Sequence, residues 1–325
     1  MPDLVTHVWF ARRTALALTA PAAEKLTEDV YLHASAGPDI WFFCGWYGGG
    51  DKALSPRGGY MHENDTGVFL SALAERCRES AHRDLLFSYL AGYLCHYCLD
   101  RTAHPYIIYR TGDYDGTPET LRYRGNHTRL ERAIDAHFIR EGFRSSPRRF
   151  DLVGKALPLR RLPEELREEL DSVYYSVYGW KNVWAALNRA IADQRKLYRL
   201  LRDPLGVLNP IAKLADNGRS TYDYRYFSYQ GRELDKSGID YLNLERRPWK
   251  NFADPSLIST ESFPELMERA CRDAVQLINV IYNYVYLKTE TITAVRHLIG
   301  NASYTSGLDC RDGRNFGEKT FDPLF

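Results

Sequence analysis

His96, Asp100 and His104 stand four residues apart in His96-Tyr-Cys-Leu-Asp100-Arg-Thr-Ala-His104. On a helix that spacing stacks imidazole, carboxylate and imidazole along one face. The stretch leading into them, residues 85–95, is uncharged, apolar and free of proline, and so predicts a buried helix. Buried imidazoles and carboxylates are costly unless paired, and a divalent metal satisfies all three at once. A second ladder of the same form follows in His127, Glu131 and Asp135. Rigid helices bearing ligand pairs at this spacing are a recurring way to build di- and trinuclear sites in all-α proteins. Further donors lie upstream at His7, at Asp39 after Gly37-Pro38, and at His62 in Tyr60-Met-His-Glu-Asn64. The chemistry these residues imply is that of a metal enzyme.

Each donor also has an ordinary reading. An isolated His7 or His62 is more often a satisfied histidine, and Asp39 after Gly-Pro suits a helix cap or a turn. His127 and Glu131, with Arg129 and Arg132 beside them, suit a solvated face. Two ladders in one chain outweigh these readings taken singly. His33, His82, His137 and His297 stay outside the scheme: His137 lies off the Glu131 face, and the others have no partner at ligand spacing. Cys95-x2-Cys98 has no second pair and reads as two small core residues.

The elements that must position these donors are helical. Periodicity predicts helices over 4–18, 22–34, 66–79, 82–103, 126–140, 163–178, 181–201, 262–287 and 291–299, and few stretches alternate with period two. The fold class is therefore all-α, a multi-helix bundle with the metal site in its core. Loops are expected at 48–50, 56–59, 111–118 and 145–163, where Gly and Pro cluster. None looks like a flexible linker, so 1–325 reads as a single domain. A long irregular loop is expected at about 203–262, where Tyr222, Tyr224, Tyr226, Phe227, Tyr229, Tyr241 and Trp249 argue for packing rather than disorder.

Composition bounds the rest. The 325 residues are 44% hydrophobic, enough for a sizeable core. With 43 basic and 42 acidic residues mixed along the chain, no electrostatic footprint for nucleic acid or membrane stands out. Six dispersed cysteines do not make a disulfide scaffold and read as reduced. The first apolar positions are interrupted by His7, Arg12 and Arg13, which argues against a signal peptide and for a cytoplasmic protein. The apolar run 85–99 is shorter than the roughly 20 residues that span a bilayer, so no transmembrane segment is expected.

The ordered set His7, Asp39, His62, His96-x3-Asp100, His104 and His127-x3-Glu131 resembles the zinc-dependent bacterial phospholipases C, whose all-α fold also serves the single-strand-specific zinc nucleases. The motifs carrying the resemblance run from residue 7 to 131. The phrase Tyr241-Leu-Asn-Leu-Glu-Arg-Arg-Pro-Trp249 is similar to one in shorter, non-secreted relatives. The resemblance implies two or three zinc ions, although iron or manganese can use the same donors. Asp39, His62, His96 and Asp100 would hold one ion, Asp100 would bridge to a second that His7 also binds, and His104, His127 and Glu131 would hold the third. Asp39 would act as ligand or as the catalytic group orienting the attacking water. The implied reaction is hydrolysis of a phosphoester by metal-bound hydroxide, on a phospholipid or another phosphodiester, with no stable nucleic-acid complex.

Two departures from the family pattern bear on this scheme. Secreted members begin with a tryptophan whose amine and carbonyl bind the second metal, whereas this chain reads Met1-Pro2-Asp3; Asp3, a terminal group or water would take that place, or it would stay empty. The family leaves five residues between the bridging Asp and the next His, whereas Asp100-x3-His104 leaves three. Nothing in 132–325 is similar to the lipid-binding β-sandwich of the larger toxins. The competing expectations are a single-strand nuclease using Arg101, Arg122 and Arg124 for phosphate contacts, and a non-catalytic helical protein stabilised by a closed metal shell.

Overall fold

A computed structural model describes residues 4–48, 50–201, 207–215 and 237–325. Apart from one two-stranded hairpin and one isolated bridge, the described elements are helical, an all-α architecture. In chain order the longer helices are α1 (Leu4–Ala17), α2 (Glu28–Ala34), α3 (Pro56–Glu63), α4 (Thr66–Glu79), α5 (Arg83–Thr111), α6 (Asn126–Glu141), α7 (Arg167–Tyr178), α8 (Val183–Leu201), α9 (Phe263–Tyr282) and α10 (Ile292–Ile299). No helix among the described residues is long and apolar enough to cross a membrane. All six cysteines are free and buried.

Helix α5 is the axis. Its residues are buried on every side rather than along one stripe, as suits a helix surrounded by protein, and α1, α2, α4, α6 and α9 pack on it. The sequence reading ends this helix at 103, before Pro105, yet it continues to Thr111. Pro105 lacks the N–H that the Arg101 carbonyl would otherwise accept. Buried contacts hold the helix together beyond that gap: the Tyr106 hydroxyl donates to the Tyr241 carbonyl at 3.0 Å, and Arg110 donates to the Pro248 carbonyl at 3.3 Å. The phrase 241–249 therefore braces the far end of the axis.

Other boundaries move for local reasons. The stretch 22–34, read as one helix, is broken into Ala20–Ala23 and α2. Thr27 takes extended backbone as the N-cap and donates its N–H to Ser88 Oγ at 2.8 Å, which places Glu28 and Asp29 in a first turn whose dipole favours them. Residues 56–59, read as a loop, form the first turn of α3, where the missing N–H of Pro56 is harmless. Of the stretch 203–262, the residues Tyr222, Tyr224, Tyr226, Phe227 and Tyr229 lie outside the described residues. Its described parts are more regular than expected, with a helix Leu208–Ala215 and an antiparallel hairpin pairing Trp249 with Ser259. Asn243, at φ 54°, organises that hairpin by donating its amide to the carbonyls of Arg247 and Glu261 at 3.0 and 3.1 Å.

Candidate metal centre

Five elements carry the eight donors of the sequence scheme: α1 holds His7, the 3-10 turn Gly37–Phe43 holds Asp39, α3 holds His62, α5 holds His96, Asp100 and His104, and α6 holds His127 and Glu131. Helix α1 is fixed at its start by Asp135, which is buried and accepts from the Val5 and Thr6 N–H groups at 3.1 and 2.8 Å and from the Thr6 hydroxyl at 2.5 Å. The unpaired N–H groups and positive dipole of a first helical turn suit such a carboxylate. Asp135, which the sequence places on the ladder with Glu131, is thus used to anchor the helix that delivers His7.

Asp100 sits at the middle. Its Oδ1 lies 3.2 Å from His7 Nε2, and its Oδ2 lies 2.9 Å from His96 Nε2, 3.7 Å from His62 Nε2 and 3.6 Å from His104 Nδ1. Asp39 reaches His62 Nε2 at 3.2 Å and His96 Nε2 at 3.7 Å. Glu131 Oε1 lies 2.8 Å from His127 Nε2 and 3.8 Å from His104 Nε2. Three clusters result, each with donor atoms within 4.8 Å of one another: His7, His96 and Asp100; Asp39, His62 and His96; His104, His127 and Glu131. His96 belongs to the first two, and its ring stacks on His7 with centroids 4.1 Å apart. His33, His82, His137 and His297 join none of these clusters.

Backbone carbonyls orient three of the rings. His62 Nδ1 donates to Gly58 at 2.7 Å, His96 Nδ1 to Ser35 at 3.0 Å, and His104 Nδ1 to Tyr304 at 2.8 Å. In a neutral ring that leaves a lone pair on Nε2. Each of these Nε2 atoms is buried, faces a carboxylate and has no hydrogen-bond partner; both oxygens of Asp100 and both ring nitrogens of His7 are likewise without one. Lone pairs turned on lone pairs repel unless a cation lies between them, and this mix of imidazole and carboxylate suits zinc.

Without a cation the cluster balances its charge with protons. Burial pushes His62 down, but the carboxylates of Asp100 and Asp39 beside it outweigh it and lift the ring to about 10. His96 is raised by the same carboxylates against the same opposition. Burial disfavours an ionised Asp100, yet His104, His96 and His7 around it hold the carboxyl well below its usual range. Burial drives His104 down to about 4 and lowers His7 as well.

The packing around the rings is tight. Gly37, at φ 52°, lies against His96 so closely that a Cβ there would be 2.4 Å from its Cγ. Gly37→Ala is therefore expected to destabilise the fold by about 1–3 kcal/mol through backbone strain and to displace His96. Chemical denaturation together with zinc titration checks both effects. Seven donor side chains are 8% exposed or less, whereas His127 is 38% exposed, so the centre opens on the His127 side. Asp3 lies outside the described residues. Arg101, expected near the site, instead donates to Asp273 at 3.0 Å and stacks on Tyr97.

Some contributors have no sequence signal. The carbonyls of Ser35, Gly58 and Tyr304 act through backbone, which residue type does not reveal. The Tyr304 ring, with centroids 5.1 Å from His62 and 5.6 Å from His96, lies 200 residues beyond His104, the last donor of α5, in the sequence.

With this arrangement in view, residues 6–200 match the family described as zinc dependent phospholipase C. The chain belongs to the zinc-dependent phospholipase C family. It matches none of the curated proteins and none of the solved structures. All eight candidate donors fall within the matched residues, and the buried His and Asp groups of this family member are able to bind metal, whereas Tyr304 lies beyond the match.

Proposed function

We propose that the chain is a phosphodiesterase of phospholipase C type that hydrolyses the phosphoester bond of a phospholipid. Asp39, His62, His96 and Asp100 would hold one zinc ion, Asp100 and His7 a second, and His104, His127 and Glu131 a third. The observation that carries this reading is the convergence of buried Nε2 and carboxylate atoms that find no hydrogen-bond partner. Zinc bound to such donors supplies Lewis acidity toward phosphoryl oxygens and lowers the pKa of water.

The chain's own residues set the conditions for that chemistry. The carbonyls of Ser35, Gly58 and Tyr304 fix the rings, and donors carried on packed elements keep their geometry. Asp100, held ionised by the imidazoles around it, supplies the central negative charge. Asp39 directs one oxygen at His62 and the other at His96, a position from which it orients an attacking water and accepts its proton. A phosphoester approaches from the His127 side, and the buried wall opposite excludes bulk water.

Asp39→Asn tests the assignment. The variant is expected to fold normally and to release headgroup from a soluble short-chain phospholipid on the order of 10²–10³-fold more slowly. Unchanged turnover would remove Asp39 from the mechanism. Cleavage of single-stranded DNA that depends on His96 would instead favour a nuclease, and zinc-loaded protein that turns over no phosphoester would favour a structural role for the metal.

A further inference from the structure

The segment 300–312 supplies no donor to the three clusters and lies beyond the residues that match the family, yet its Tyr304 packs against His62 and His96 and accepts from His104. Its position is set by contacts to the two helices that carry His62 and His104. The Tyr304 N–H donates to the His62 carbonyl at 2.9 Å. The Ser303 hydroxyl donates to Glu63 at 2.6 Å and accepts the N–H groups of Thr305 and Ser306, both at 3.0 Å. The Ala302 N–H donates to the Tyr97 hydroxyl at 3.0 Å. Gly307, at φ 71°, rests on the Arg101 carbonyl left without its helical partner by Pro105; a Cβ there would lie 2.4 Å from that oxygen.

The Tyr304 carbonyl accepts the Nδ1 proton of His104 at 2.8 Å, while Asp100 Oδ2 lies 3.6 Å from the same nitrogen, outside hydrogen-bond reach. With the carbonyl taking that proton, the Nε2 lone pair points toward Glu131, and Asp100 Oδ2 is left to His96 and His62. Were the carbonyl displaced, the proton would be free to move to Nε2, and His104 would present a donor where a ligand is needed. We propose that segment 300–312 is a positioning element of the metal centre, in which the Tyr304 carbonyl selects the His104 tautomer and thereby sets zinc affinity at the site of His104, His127 and Glu131. This rests on the reading of His104 as a metal donor. Tyr304 acts through another residue and is not itself catalytic.

The test is a zinc titration against a chromophoric chelator on the full chain, paired with long-range ¹H–¹⁵N spectra of its histidine rings. Wild type is compared with His104→Ala, Gly307→Ala, Ser303→Ala and Tyr304→Phe. His104→Ala is expected to lack one zinc equivalent that wild type binds. Gly307→Ala and Ser303→Ala are expected to weaken that same equivalent by about 10- to 100-fold and to shift the His104 ring signals. Tyr304→Phe keeps both carbonyl and ring, and is expected to bind as wild type does. Should Gly307→Ala not fold, as read by helical circular dichroism, Ser303→Ala decides the matter. A folded Gly307→Ala or Ser303→Ala that binds every equivalent normally, with the His104 proton still on Nδ1, overturns the positioning role and leaves the donor reading intact. Equal zinc content in wild type and His104→Ala overturns the donor reading, and the proposal with it.

Discussion

Asp100→Asn is expected to strip at least one zinc ion from each chain and to slow phosphoester turnover on the order of 10³-fold or more, the loss of several kcal/mol of charge stabilisation. No other side chain in the cluster faces four imidazoles, and Asp100 is fully buried. Asparagine has the same shape, so helix α5 is expected to keep its packing. It removes one negative charge, however, and puts an N–H donor where one of the two oxygens presents a lone pair. In the metal-free variant His62 loses one of the two carboxylates that raise it and His96 loses the larger part of what raises it, so burial weighs more heavily toward their neutral forms. Elemental mass spectrometry and turnover at saturating zinc check the first claim, and histidine titration by NMR checks the second. Full zinc content with full turnover in this variant would refute the central place given to Asp100.

The legible part of this centre is the part written in side chains at helical spacing. His96, Asp100 and His104, and again His127 and Glu131, are visible because i, i+4 donors on one helix meet on one face wherever that helix lies. His7, Asp39 and His62 have no spacing of their own and are drawn in by the order of the motif. The turn and short helix that carry Asp39 and His62 were obscured by Gly37-Pro38 and by Pro56 through Gly59, residues that punctuate loops as readily as they begin helices. Pro105 misleads in the same way, because tertiary contacts at Tyr106 and Arg110 outweigh the local rule that ends a helix before proline. Tyr304 is the hardest to foresee. Its contribution is a carbonyl oxygen and a ring edge delivered by a distant turn, and that turn's place depends on Gly307 meeting one freed backbone oxygen.

Chelation is the second large effect. If two or three zinc ions are present at about 1,000 times their dissociation constants, each contributes about 4 kcal/mol, so removing them is expected to cost about 8–12 kcal/mol. For a chain of this size that lowers Tm by roughly 12–18 °C. The stability that remains should depend on pH in two opposed ways. His62 has its folded pKa raised to about 10. Its stabilising contribution is complete below the ordinary histidine value and is lost as pH rises through 10. His104 is depressed to about 4, so its contribution is complete above the ordinary value and is lost as pH falls toward 4. The metal-free protein is thus expected to be most stable near neutrality and to weaken on both sides, which calorimetry from pH 4 to 10 on chelator-treated chain will show. The same proton on His62 must leave before its Nε2 can bind metal, so zinc binding at pH 7 releases protons and weakens as pH is lowered. A chelator-treated chain with an unchanged Tm and no proton release on adding zinc would mean that the ladders hold each other through hydrogen bonds, and that the lone pairs found opposed at Asp100 are resolved by protons alone.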